Sequence, residues 1–320
     1  MGAFFDADDF IAEALETINS QVDPQGKAII ACSGGVDSMV TATLASKAIG
    51  DRLVAVYVDS GLMRKGETEG VEAMMKHMGI NYRIADASAE FFEALKGVTD
   101  PEQKRKIIGE LFIRVFERYA RDSGATYLFQ GTIAPDWIES GDGVRDTIKS
   151  HHNVGGLPKD MNMTLVEPLR DLYKDEVREV ARALGVEASE RQPFPGPALA
   201  IRCMGEVTPE KIAIVREACA IVEEEIMKAA AAGECELPWQ YFAVLLPQRS
   251  VGVQGDKRAY GYTVVVRAVT SIDGMTANFS ALSPALLGRI SVRITGSMKE
   301  SVNRVVYDIT SKPPSTIEWE

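Results

Sequence analysis

The sequence predicts an α/β chain: a doubly wound, mostly parallel sheet followed by a smaller α+β domain. Three observations carry that reading. Over the first two hundred residues, short β-branched runs alternate with stretches of helical periodicity. The first two of those runs, 28–32 and 53–58, are apolar throughout, as strands covered on both faces tend to be. Past residue 200 the alternation stops, and one long helix is followed by strand-like runs. A length of 320 residues suits two domains, divided here as 1–198 and 199–320.

AIIAC (28–32) and LVAVYV (53–58) read as the first two strands, with a helix-length stretch at about 38–49 between them. Val71, Met74, Met75 and Met78 mark a second helix, and NYRIAD (81–86) a third strand. After Pro101, apolar residues from Ile107 to Tyr119 form one wide stripe at helical spacing, and Gly124 ends it. TYLFQG (126–131) is a further strand, and Tyr173 to Leu184 a further helix. Residues 138–160 are polar and show neither periodicity; loops this long are usually functional lids or disordered. RQPFPGPALA (191–200) reads as a linker. Beyond it, Ile212 to Ala229 give one long helix. YFAVLLP (241–247), YTVVVRAV (262–269) and VNRVVYDI (302–309) give strands, with a helix near 283–295.

Composition excludes several classes. Apolar residues at 46% and charged residues at 25% are ordinary globular usage. A net charge of -11 argues against a general nucleic-acid or anionic-membrane binder. No apolar run approaches bilayer-spanning length. The opening MGAFFDADDFIAEALETI is acidic where a signal peptide is basic, and Asp6 stands where a myristoylation signal needs Ser or Thr. Four cysteines without C-x-x-C spacing leave neither zinc ribbon nor disulfide framework, so a cytoplasmic setting is expected. Three histidines are too few for a His-rich metal site.

The sharpest feature is Ser33-Gly34-Gly35-Val36-Asp37-Ser38, between a strand and a helix. Paired glycines let backbone N–H groups turn inward as an anion nest, and the following helix offers its partial positive end. Ser33 and Ser38 add hydroxyls. Asp37 among phosphate donors makes sense as a Mg²⁺ ligand. The loop is neither a Walker A nor a G-x-G-x-x-G motif. A plain β–α turn with a Ser or Asp cap is the bland alternative. Cys32 could suggest a nucleophile elbow, but Ile30 is too large two positions before it, so a buried strand-end thiol is expected.

SGGVDS resembles the PP-loop of the N-type ATP pyrophosphatases, which cleave ATP between the α and β phosphates. GTIAPDWIES (131–140), IKSHHNVGGLP (148–158), LVEPLRDLYKDEVR (165–178), RQPFPGPALAIRCMGE (191–206), RSVGVQGD (249–256) and KPPSTIEWE (312–320) are similar to GMP synthetase, from about residue 27 onward. The resemblance implies an adenine-nucleotide alpha hydrolase-like sheet domain and amination of XMP. ATP adenylates the XMP C2 oxygen, pyrophosphate leaves, and ammonia displaces AMP to give GMP. With only 26 residues before the first strand, the chain resembles a separate synthetase subunit. A glutamine amidotransferase partner is then implied, with free ammonia as a substitute.

The same resemblance assigns roles. Ser33, Gly34, Gly35, Val36, Asp37 and Ser38 wrap the pyrophosphate, with Asp37 on Mg²⁺. Val58 offers its backbone to adenine, and Asp136 helps position ATP and metal. Lys149 and Lys159 belong to a lid at about 138–160 that excludes water and neutralises the leaving pyrophosphate. Arg202 is a phosphate ligand for XMP, and Gln254, Lys312, Ile317 and Glu318 surround that nucleotide. A homodimer through the C-terminal domain is implied as well. Rival readings are an amide-forming PP-loop enzyme such as NAD synthetase, a tRNA-thiolating PP-loop enzyme, and a nucleotide sensor without turnover. The first should lack the 191–206 and 312–320 signatures; the second should carry catalytic cysteines and a basic face.

Overall fold

Five short parallel strands make the first sheet, in the order β3-β2-β1-β4-β5. They are β1 (Ala28–Ala31), β2 (Leu53–Asp59), β3 (Tyr82–Asp86), β4 (Tyr127–Phe129) and β5 (Thr164–Val166). The computed structural model describes residues 5–138, 163–186, 192–272 and 274–320. Central β1 is enclosed: Ala28, Ile29 and Ile30 are at most 1% exposed, which accounts for its unbroken apolar run. The chain moves outward from β1 through β2 to β3, then returns to β4 on the other side of β1. Right-handed crossovers put the helices of the two directions on opposite faces. The order therefore reverses between β1 and β4, and doubly wound sheets bind ligands at that crevice.

Helices α1 (Ala7–Gln21), α2 (Val36–Ile49) and α7 (Lys174–Leu184) pack together. The first of these is absent from the sequence expectation. Its signal is the cap: the Asp6 side chain accepts from the amides of Asp8 at 2.9 Å and Asp9 at 3.1 Å, while Ala14 and Ile18 are buried one turn apart. The others are α3 (Glu67–His77), α4 (Ser88–Ala94), α5 (Pro101–Ser123) and α6 (Ala134–Ile138). The elements expected between 53 and 124, and at 173–184, form within a few residues of their expected bounds. Helix α2 begins two residues earlier than expected, inside the glycine loop.

A second, four-stranded sheet joins β6 (Gln240–Gln254) antiparallel to β7 (Lys257–Thr270). Strands β8 (Asn278–Phe279) and β9 (Val302–Tyr307) both pair with β7, antiparallel and parallel respectively. Helices α8 (Pro209–Ala231) and α9 (Pro284–Ser297) pack on each other and on this sheet. Each starts with Pro after a Thr or Ser cap, Thr208 and Ser283, the arrangement that best suits a helix start. The expected linker at 191–200 is instead partly core. Ala198, Leu199, Ala200, Ile201 and Arg202 form a buried 3₁₀ turn, with Ala198 at φ 55°.

Compactness divides the chain differently from a cut at residue 198. One unit holds 1–60, 66–87 and 109–191; the other holds 61–65, 88–108 and 192–320. Within the second, Arg216 donates to the carbonyls of Met63 at 2.8 Å and of Gly61, and buried Lys104 pairs with Glu320. Two short segments from early in the sequence are thus built into the second core.

Candidate active site

The glycine loop leaves β1 at the point where the strand order reverses. Gly34 adopts φ 80°, a conformation open to glycine, which turns the chain sharply after the strand. A Cβ on Gly34 would stand 2.5 Å from the Val71 side chain, so α3 also closes that position to any other residue. Ser33 and Ser38 stitch the loop across itself. The Ser33 amide donates to Ser38 Oγ at 3.3 Å, Ser38 Oγ donates to the Gly35 carbonyl at 3.0 Å, and the Gly35 amide donates to Ser33 Oγ at 3.3 Å. Gly35 caps α2 with no side-chain bond, so the first-turn amides of the helix are offered to the crevice. Ser33 and Gly35 are exposed, and Asp37 and Ser38 half-buried, whereas Val36 turns into the core.

Across the crevice, the loop after β4 approaches the same helix start. A Cβ on Gly131 would meet the carbonyl carbon and oxygen of Asp37 at 3.0 Å and the amide of Ser38 at 3.1 Å. Any other residue there would have to push the two backbones apart by a few tenths of an ångström. Asp136, in the first turn of α6, accepts from the Ile133 amide at 3.1 Å and so shapes that loop.

Asp37 has a partner that the sequence reading did not single out. Lys174 Nζ donates to both carboxylate oxygens, at 2.8 and 2.7 Å. Lys174 is the first residue of α7, where a cation is disfavoured by the helix dipole. A local rule broken beside a phosphate-type loop was the available signal. Cys32 sits beneath the loop, and burial raises its thiol to about 12, which leaves it neutral and unsuited to nucleophilic chemistry. Val58 lies near the end of β2 and is buried.

The second unit gathers the C-terminal segment around buried cations. Arg202 is 1% exposed, and its Nε and Nη2 donate to Glu318 at 3.0 and 2.7 Å. Its guanidinium lies 4.0 Å from the Phe242 ring and 5.3 Å from that of Phe194. The residue expected as a phosphate ligand for XMP thus lies between two rings with its fork on a carboxylate. Glu318 also accepts from Gln240 at 3.1 Å. Ile317 is buried, and Lys312 donates to the Gly274 carbonyl at 2.9 Å. Gln254 stands apart from them. It closes the far end of the fifteen-residue β6, opposite Lys257, whereas Gln240 opens that strand. At strand rise the two ends are roughly 45 to 50 Å apart.

Lys149, Lys159 and nearly all of the lid expected at about 138–160 lie outside the described residues. Among the described residues, no group of three or more His, Cys, Asp or Glu is placed to hold a metal. None of the described helices is long and apolar enough to cross a membrane.

Residues 27–192 match the family described as queuosine biosynthesis protein QueC, and residues 224–319 the GMP synthase C terminal domain. The B-type subunit of the glutamine-hydrolyzing GMP synthase of Thermoplasma acidophilum is 58% identical, over 97% of this chain and 98% of that one. Its counterpart in Methanopyrus kandleri is 57% identical, over 99% and 100%. The glutamine-hydrolyzing GMP synthase of Lactobacillus acidophilus is 56% identical over 98% of this chain but 60% of its own length. Among solved structures, NMN synthetase from Francisella tularensis overlays 65% of this chain and 85% of that one, at 17% identity and a TM-score of 0.48. The QueC match covers the part bearing the shared loop, while the likeness to the B-type subunits runs end to end. The chain belongs to the family of B-type subunits of glutamine-hydrolyzing GMP synthase.

Proposed function

We propose that this chain performs the synthetase half of GMP formation. ATP adenylates the C2 oxygen of XMP with loss of pyrophosphate, and ammonia then displaces AMP to give GMP. The carrying observation is the glycine loop at the strand-order reversal, in a chain alike over its whole length to B-type GMP synthase subunits. Phosphates of ATP would sit on the amides of Gly34 to Ser38 and the hydroxyls of Ser33 and Ser38, with adenine against the backbone of Val58. Asp136 would contribute by holding the loop that faces them.

Mg²⁺ fits this donor set in one manner. A single carboxylate, Asp37, would leave the other positions of the ion to phosphate oxygens and water, the usual arrangement for magnesium on a nucleotide. When bound, the ion would neutralise charge on the departing pyrophosphate. Lys174 holds that carboxylate in place and adds a cation of its own close to the phosphate loop. The lid lysines Lys149 and Lys159 are proposed to add to the same neutralisation.

XMP falls to the second unit, near Lys312, Ile317 and Glu318. Gln254 can share that pocket only if a second copy of the chain supplies it, because β6 holds it far from Glu318 in its own copy. This favours a homodimer through the second unit. Ammonia is proposed to come from a separate glutamine amidotransferase subunit, in keeping with the subunit naming of the relatives covered almost completely. The test is incubation with ATP, Mg²⁺, XMP and ammonium. GMP, AMP and pyrophosphate are expected, and glutamine should replace ammonium only when a glutaminase subunit is added. Products of ADP and orthophosphate, or indifference to XMP, would sink the reading.

A further inference from the structure

We propose that Arg267, on β7, is a positioning residue for XMP, acting through the C-terminal segment that it holds. The proposal rests on the reading that Lys312, Ile317 and Glu318 meet the nucleotide.

Arg267 is completely buried. Its Nε donates to the Ile317 carbonyl at 3.0 Å and its Nη1 to the Thr310 carbonyl at 2.8 Å, while Nη1 also forms an ion pair with Asp308 Oδ2 at 2.9 Å. Nη2 donates to Ser315 Oγ at 3.1 Å and to the Thr316 carbonyl at 2.9 Å. A guanidinium carries five N–H donors in a rigid plane, and here it makes four hydrogen bonds and one ion pair. All five partners lie within residues 308–317. Three are main-chain carbonyls, so the fork specifies the path of the backbone rather than a set of side chains.

That path needs an external template. Residues 308–320 contain no helix or strand, and their one bridge joins Lys312 to Ala277. Lys312 falls between the anchored positions Thr310 and Ser315, and Glu318 directly follows the anchored Ile317. Arg267 thereby anchors the chain on both sides of Lys312 and immediately before Glu318. A segment already in its binding conformation owes no ordering entropy when the nucleotide arrives. A segment ordered only part of the time binds more weakly in proportion to its competent fraction.

The experiment compares Arg267→Lys and Ser315→Ala with the wild-type chain at saturating ammonium. Lysine keeps the charge but offers three donors without the planar fork, whereas the half-buried Ser315 hydroxyl can be removed without opening the core. Arg267→Lys should raise KM for XMP by about tenfold or more, while KM for ATP stays within about twofold. Ser315→Ala should raise KM for XMP by roughly two- to threefold. Loss of kcat with KM for XMP unchanged would mean a merely structural role and would overturn the proposal. Should Arg267→Lys fail to fold, an unchanged KM in Ser315→Ala overturns it alone. A wild-type chain that makes no GMP would remove the functional reading and this one together.

Discussion

A carboxylate beside a lysine is ordinary on a protein surface, but Asp37 and Lys174 meet at the starts of two helices that face one anion nest. Asp37→Asn removes the charge and preserves the shape. It should lower GMP formation at least about a hundredfold, since it strips the carboxylate that the nest offers to an ion on the phosphates. The fold should survive, because a half-exposed ion pair contributes only about 0 to 1 kcal/mol. Circular dichroism and a melting curve beside the activity assay would check both halves. At this scale the sequence offers candidate residue types and not their partners. Asp37 was legible from its loop. Lys174 was not, because nothing in the spacing says that α7 packs on α2. Arg202 likewise has a partner that the spacing does not announce. An arginine after PGPALAI invites a phosphate, and only the fold reveals that Glu318, 116 residues away, already occupies its fork.

The elements depend on how closely backbones can approach. The start of α2 is reached by the loop after β4 only because Gly131 has no Cβ. Gly131→Ala must move either that loop or the Asp37–Ser38 peptide by several tenths of an ångström. Catalytic geometry is sensitive to displacement of that size. The expected outcome is a fall of about ten- to a hundredfold in kcat/KM for ATP, with KM for XMP little changed, as steady-state kinetics would show. Long periodic elements such as α5 and α8 were legible because their apolar stripes repeat over many turns. Short ones were not: β5 has three residues and β8 two, too few for any period to show. The outer half of the β6–β7 hairpin also escaped notice. RSVGVQGDKRAYGY alternates polar and apolar residues, but its charge and glycines resemble a loop until its partner strand is known.

For the whole molecule, burial of three thiols couples stability to pH. Desolvation raises Cys32 to about 12 and Cys203 and Cys219 to about 11, from the usual 9.0. Above pH 9 the unfolded chain ionises these thiols and binds fewer protons than the native one, so stability falls as pH rises towards 11 or 12. The slope should approach about 1 kcal/mol per cysteine per pH unit, and Cys219→Ser should change it. Urea unfolding between pH 8 and pH 10.5 measures this directly. The change in pattern near residue 200 suggests a cut there, but the interleaving of the two compact units was not legible, because apolar patterning marks what is buried and says nothing about which core receives it.

The pair of Lys104 with Glu320 spans 216 residues of chain. At about 5 to 20 residues per second, a ribosome needs roughly 10 to 40 seconds to deliver the second partner after the first. Until then a cation destined for the core lacks its counter-ion, and so does Arg202 while Glu318 is awaited. Closure of the second unit around these two cations therefore waits until residues 318–320 have been made.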